Sequence, residues 1–233
     1  MPRSKRYRAA AERLDRTRTY PLAEALALIK SKASAKFDET VECHVKLNLK
    51  GNQTVRDTTV LPHGFQAEQR ILVFARDEKA QEAQDAGAAH VGAEELVEKI
   101  RGGWLDFDVA VATPDMMRHV GRLGPVLGRR GLMPNPKTRT VTNDLSAAIA
   151  ELKRGRVEFR ADKTGVVHMA VGKVSMAPEP VGENVSALLD EIGKRRPPDL
   201  KGEFIASVAV SSTMGPGIRV EQESAAGTAS RHG

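Results

Sequence analysis

The sequence predicts a mixed fold, part α+β and part α/β, with one domain split between the two chain ends and a second inserted into it. Three observations carry this. The 233 residues exceed what a single ordinary core usually takes. Apolar residues alternate with period two near residues 40–61 and again after residue 155, the pattern of half-buried strands. Between these stretches, short continuous apolar runs alternate with helical segments, the pattern of a βαβ unit with a parallel sheet. The boundaries fall near residues 67 and 159, giving 1–67 with 159–233 as the discontinuous α+β domain and 68–158 as the insert.

Taken in order, Pro21 in a first turn followed by Leu22, Ala25, Leu26 and Leu28-Ile29 predicts a helix that ends before Lys32–Phe37. From Val41 the alternation is strict. Val41, Cys43, Val45, Leu47 and Leu49 form one face, and Thr40, Glu42, His44, Lys46 and Asn48 the other. The first face is core, and the second is free to bind something. Thr58–Leu61 reads as a strand broken by Pro62-His63-Gly64.

In the insert, Ile71–Ala75 and Val109–Ala112 are apolar strands, and helices cover Glu78–Ala86, Ala93–Ile100, Met116–Arg122 and Asp144–Lys153. Gly124–Thr140, dense in glycine and proline, reads as a long loop. Afterwards come strands at Arg156–Arg160 and Val166–Val174, a helix at Val181–Lys194, and a strand at Glu203–Ser212. Ser224–Gly233 is small, polar and expected to be disordered.

The formal charge is +6, which points to a polyanionic partner. It is unevenly placed. Residues 1–19 hold seven basic and two acidic groups, nearly the whole excess; a basic amphipathic helix fits there. Residues 68–115 carry five basic and eleven acidic groups, whereas 116–143 carry six basic and none acidic. No apolar run approaches membrane-spanning length. No hydrophobic segment follows Met1–Arg6, so no secretory signal is expected and the cytoplasm is the expected compartment. Cys43 is the sole cysteine, which forbids an intrachain disulfide, and it lies on the apolar side of its strand. Nine aromatic residues are too few to stack several bases.

Catalytic motifs are missing. The glycines of 124–131 follow a helix rather than a strand and lack dinucleotide spacing, and those near Gly172-Lys173-Val174 are wrongly spaced for a phosphate loop. The six histidines show no metal-ligand spacing, and no cofactor is expected. Three features suit contact with a polyanion instead. One is the polar face of strand 40–48 with Lys36 and Phe37 ahead of it. Another is the Ser211-Ser212-Thr213-Met214-Gly215-Pro216 turn, where glycine would let backbone approach a ligand. The third is the acid-free stretch 118–139.

Several runs together resemble a known family. Lys36-Phe37-Asp38-Glu39-Thr40-Val41-Glu42, Val60-Leu61-Pro62-His63-Gly64, Gly124-Pro125-Val126-Leu127-Gly128 with Gly131-Leu132-Met133-Pro134-Asn135-Pro136-Lys137, Asp162-Lys163-Thr164-Gly165 and Thr213-Met214-Gly215-Pro216 stand in the order of the bacterial large-subunit ribosomal protein one family, over roughly residues 1 to 222. The resemblance implies a split α+β, ferredoxin-like domain with an inserted Rossmann-like domain that holds no nucleotide. It implies a structural protein of the large (50S) ribosomal subunit that binds the mobile stalk of large-subunit rRNA beside the tRNA exit site. It further implies assistance in tRNA release and repression of the protein's own operon mRNA.

Carried onto this sequence, the resemblance implies an RNA surface of Lys36, Phe37, Thr40, Glu42 and Lys46 on one wall and Ser211, Thr213, Met214 and Gly215 on the other, with Lys163, His168 and Lys173 nearby. Glu42 is unfavourable beside RNA unless it accepts a hydrogen bond from a base or ribose, or orients a lysine. Arg129 stands where the family commonly has proline, and Arg139 where glycine is frequent. Two other classes of function compete: an enzyme using the βαβ domain for a nucleotide or phosphorylated substrate, and a nonspecific nucleic-acid binder driven by residues 1–19.

Overall fold

The computed structural model describes residues 4–12, 14–15, 17–50, 53–65, 69–198, 200 and 202–221. The expected disordered tail, 224–233, lies outside them. In chain order the elements are α1 (Lys5–Glu12), α2 (Leu22–Lys32), β1 (Thr40–Leu47), β2 (Arg56–Val60), β3 (Ile71–Phe74), α3 (Asp77–Asp85), β4 (His90–Gly92), α4 (Glu94–Arg101), β5 (Val109–Ala112), α5 (Met117–Val120), α6 (Gly124–Leu127), α7 (Leu145–Lys153), β6 (Arg156–Arg160), β7 (Val166–Lys173), α8 (Pro178–Lys194), β8 (Ile205–Ser212) and β9 (Ile218–Val220). Two compact units result, 1–65 with 158–233 and 66–157. No helix among the described residues is long and apolar enough to cross a membrane.

The first unit is built on an antiparallel sheet in the order β7-β1-β8-β9. Strict alternation along β1 decides its layering: Val41, Cys43, Val45 and Leu47 are buried, and the residues between them are not. Val167, Met169 and Val171 of β7 and Val208 and Val210 of β8 extend the same apolar face. Helices α2 and α8 cover it, α2 with Leu22, Ala25, Leu26 and Ile29, α8 with Val181, Val185, Leu188, Leu189 and Ile192. Each of those large side chains contributes about 1.5–3 kcal/mol relative to exposure. Within the same core, the fully buried Asn184 accepts from the His63 backbone N–H at 2.9 Å. It donates to the carbonyls of His63 and Val171 at 2.9 and 2.8 Å. The Pro62-His63-Gly64 break is thereby tied down by a satisfied buried amide.

The second unit holds a parallel three-stranded sheet, β4-β3-β5, buried on both faces. Leu72 and Phe74 of β3 pack with Leu96, Ile100, Met116, Val120, Leu123 and Leu127 on one side; Ile71 and Val73 pack with Ala83, Leu145, Ile149 and Leu152 on the other. Continuous apolar runs are what such a doubly covered strand requires.

Several expectations are corrected. The strands β4 and β9, three residues each, were not expected. Met116–Arg122 is not one helix: α5 is flanked by 3-10 turns at Pro114–Met116 and Gly121–Leu123, because Pro114 starts a turn and the glycines end the next. Nor is Gly124–Thr140 an open loop. It contains α6 and 3-10 turns at Gly128–Arg130 and Pro136–Thr138, and Leu123 and Leu127 bury against the sheet. Glycine and proline here head and end short helical turns, so the stretch caps a core rather than forming a lid.

Candidate nucleic-acid interface

Among the described residues of the first unit no helix lies over the face of the four-stranded sheet opposite α2 and α8, and the register shows which side chains share that face. Thr40 pairs with Lys173, Glu42 with Ala170 and Ser211, His44 with His168 and Ala209, and Lys46 with Val166 and Ser207. Beyond β8, Arg219 of β9 stands opposite Ala209. Thr40, Glu42, Lys46, His168, Lys173 and Ser211 are therefore brought onto one surface, although the sequence separates β1 from β8 by more than a hundred residues.

Two loops frame one end of this face. The first carries Lys36 and Phe37, both exposed, and the second carries Thr213, Met214 and Gly215. Phe37 is 56% and Met214 48% exposed, and with Val60 they are the large apolar side chains left in solvent among the described residues. Such exposure is uncommon for apolar groups held in ordered turns. The loops are held together by Glu39, only 2% exposed. Its Oε1 accepts from the Ala35 N–H at 3.1 Å and its Oε2 from the Met214 N–H at 3.0 Å. Burial by itself would raise the Glu39 pKa, but bonds from the Ser212 hydroxyl and from the N–H groups of Met214, Ala35 and Ser34 outweigh it and hold the carboxyl below its usual range. Asp38 fixes the other flank, accepting from the N–H and hydroxyl of Ser175 at 3.1 and 2.8 Å.

Thr213 closes the frame onto β1. Its N–H donates to the Thr40 carbonyl at 3.0 Å, its Oγ1 accepts from the Thr40 N–H at 3.0 Å, and its hydroxyl reaches the same carbonyl at 3.3 Å. The hydroxyl expected to read a ligand is engaged in the protein's own framework. At Gly215 a Cβ would meet Ser212 Oγ, so the glycine also makes room for that hydroxyl.

The lysines divide by their partners. Lys173 Nζ donates to Thr40 Oγ1 at 2.8 Å and Lys46 Nζ to the Thr164 carbonyl. Lys36 and Lys163 are exposed. Lys163 sits in the turn that Asp162 organises: Asp162 Oδ1 accepts from the Thr164 N–H and the Val166 N–H, each at 2.8 Å. These bonds, with that from the Thr164 hydroxyl, pull the Asp162 pKa down to about 2. Gly165 ends the turn at φ +77°. Glu42 has neither a hydrogen bond nor a salt bridge among the described residues, so it orients no lysine and its oxygens remain open acceptors.

His44, which the sequence reading placed on the polar face but not in the site, stands at its middle. Its Nδ1 lies 2.8 Å from Nδ1 of His168, and its Nε2 lies 3.0 Å from Ser211 Oγ. Burial, then the neighbouring His168, hold its pKa below the usual imidazole range, against the opposing pull of Glu42. Glu39 was also missed. Its flanking apolar–polar pattern gave no sign that this carboxylate turns inward. Cys43 lies fully buried beneath the face, and burial pushes its thiol up to about 12.

The second unit offers a phosphate no cradle at its first strand-to-helix turn. Asp77 and Glu78 begin α3, where an anion would have to sit, and Arg76 is paired with Glu94. The six basic residues of the acid-free stretch, Arg118, Arg122, Arg129, Arg130, Lys137 and Arg139, are all exposed. Arg139 adopts a left-handed backbone, φ +52°, the geometry that glycine takes without strain. Among the described residues no three His, Cys, Asp or Glu side chains gather as a metal site.

The family model described as "Ribosomal protein L1p/L10e family" matches residues 29–216. The chain is 58% identical to "Large ribosomal subunit protein uL1" of Treponema denticola over 221 residues, covering 95% of this chain and 98% of that one. It is 54% identical to the protein of the same name from Borrelia hermsii over 217 residues, covering 93% and 97%. With the motifs on both loops inside the matched region and the match running over most of the chain, this protein belongs to the ribosomal protein L1 family.

Proposed function

We propose that the protein is a structural, non-enzymatic constituent of the large ribosomal subunit that binds the mobile stalk of large-subunit rRNA through the open face of its four-stranded sheet. Members of the family are structural ribosomal proteins, not enzymes. On this reading the discontinuous α+β unit is a ferredoxin-like RNA-binding domain and the parallel unit a Rossmann-like insert. The observation that carries it is the framed surface: two exposed apolar side chains, Phe37 and Met214, on loops locked by one buried carboxylate, beside hydroxyls, an open acceptor and lysines. Phe37 packs on a base or ribose, Ser211 and Glu42 contact 2′-hydroxyls or base edges, and Lys36 and Lys163 meet phosphates. At the exit site the same protein assists tRNA release, and it represses its own operon mRNA where that message copies the stalk fold.

Titration with stalk RNA and with DNA of the same sequence tests this. RNA should bind far more tightly, because contacts to 2′-hydroxyls have no counterpart in DNA. Lys36→Ala should lower the salt dependence by about one phosphate contact. Deleting residues 1–19 should leave the preference for RNA largely intact. Equal affinity for RNA and DNA, or collapse of RNA binding on that deletion, would favour nonspecific binding by the basic N-terminal run.

A further inference from the structure

His44 stands in a hydrogen-bonded row across three strands, from His168 on β7 to Ser211 on β8. The charged or titratable groups around it are Glu42 and Lys46 on β1, Asp162 and Lys163 on the turn before β7, Lys173 at the end of β7, and Arg219 on β9 in the same cross-strand row. Two imidazole nitrogens 2.8 Å apart must share one proton: one carries the N–H and the other presents its lone pair. A neutral imidazole has a single ring proton, so this choice also sets what His44 shows to Ser211.

There are two neutral arrangements. If His44 Nδ1–H donates to His168, His44 Nε2 is a lone pair and the Ser211 hydroxyl donates to it. Ser211 then offers a ligand only its oxygen lone pairs. If His168 Nδ1–H donates to His44, the His44 proton sits on Nε2 and donates to Ser211. The hydroxyl hydrogen is then free to point outward. One added proton selects the second arrangement: it occupies His168 Nε2, which lies 3.8 Å from Asp162 Oδ2, while His168 Nδ1–H continues to donate. A second added proton would put N–H groups on both facing nitrogens and break the contact. Nε2 of the exposed His168 is the ring nitrogen that faces Asp162, whereas both nitrogens of the half-buried His44 are already engaged, so the added proton has its place on His168.

We propose that His44 is a positioning residue that couples protonation of His168 to the hydrogen-bond direction of Ser211, so that one proton turns the middle of the face from acceptor to donor and adds one positive charge toward RNA. The proposal rests on the reading that this face binds stalk RNA.

The test measures the affinity of stalk RNA between about pH 8 and pH 6 at fixed salt, for the wild type, His44→Ala, Ser211→Ala and the double variant. The wild type should bind about three- to tenfold tighter at the lower pH. Each single variant should lose the part of that gain carried by the Ser211 hydroxyl and keep only what the charge on His168 supplies, and the double variant should lose no more than either. An unchanged pH profile in His44→Ala, losses that add in the double variant, or a flat wild-type profile would overturn it. A proton NMR titration of the free protein supplies a readout that needs no RNA. Both rings should report one shared first step, and independent titrations would refute the coupling. If stalk RNA is not preferred over DNA at any pH, the RNA reading fails, and the NMR titration still decides whether the pair is coupled.

Discussion

Replacing Glu39 by alanine removes one carboxylate and disconnects two loops. In the folded protein that group accepts from Ala35 and Met214 backbone N–H groups at 3.1 and 3.0 Å and from the Ser212 hydroxyl, at a site only 2% exposed. Each donor left unsatisfied costs about 1–3 kcal/mol. Loop opening readmits water to some of them, so a loss of about 2–4 kcal/mol is expected, a large share of the roughly 5–15 kcal/mol typical of a domain. Urea denaturation gives this number directly. Phe37 and Met214 would lose their fixed spacing, and losing one aromatic or apolar contact at about 1–3 kcal/mol weakens RNA at least fivefold.

The same carboxylate makes part of the stability acid-sensitive. Its pKa is depressed in the folded state, so its contribution is full above the ordinary glutamate value of 4.5 and fades as pH falls through the lower folded value. The stability gap between wild type and Glu39→Gln should shrink over that window. A Glu39→Ala protein that keeps its unfolding free energy in urea within about 0.5 kcal/mol, the usual range for surface changes, together with wild-type RNA affinity, would refute the clamp.

Other outcomes follow from single groups. Phe37→Ala and Met214→Ala should leave folding stability nearly unchanged, within about 0.5 kcal/mol, because both side chains are exposed, yet weaken stalk RNA binding. Arg139→Gly should raise the stability of the second unit by up to about 1 kcal/mol by removing a left-handed arginine, offset in part by the greater freedom of glycine in the unfolded chain; thermal denaturation reads this. Cys43 should resist thiol reagents at about pH 8 while the protein is folded and react on unfolding, since burial holds its pKa near 12.

Period-two alternation made β1 and its two faces legible, and the apolar texture of Ile71–Phe74 revealed a strand covered on both sides. What stayed hidden has physical causes. Strands of three residues, such as β4 and β9, are too short to show a period. Punctuation by glycine and proline in 124–140 marks helical turn boundaries as readily as open loops, and only the spacing of Leu123 and Leu127 hinted at packing. The motifs placed Thr213 and Gly215 at the site, but whether a motif residue meets the ligand or braces the frame depends on partners far along the chain. Thr213 bonds to Thr40 and Gly215 clears space for Ser212. His44 and His168 meet from 124 positions apart, beyond the reach of any local pattern.

The placement of β1 between β7 and β8 has a consequence for synthesis. The central strand of the sheet leaves the ribosome first, and neither neighbour exists until Lys173 and Ser212 have been made. Until then the whole inserted unit is an unclosed loop, and closure is slow when contacts are this distant in sequence. A chain stalled or cleaved before β8 therefore carries Lys36 and Phe37 without the wall that holds Ser211, Thr213 and Met214. On the proposed reading, such fragments should compete poorly with finished protein for RNA.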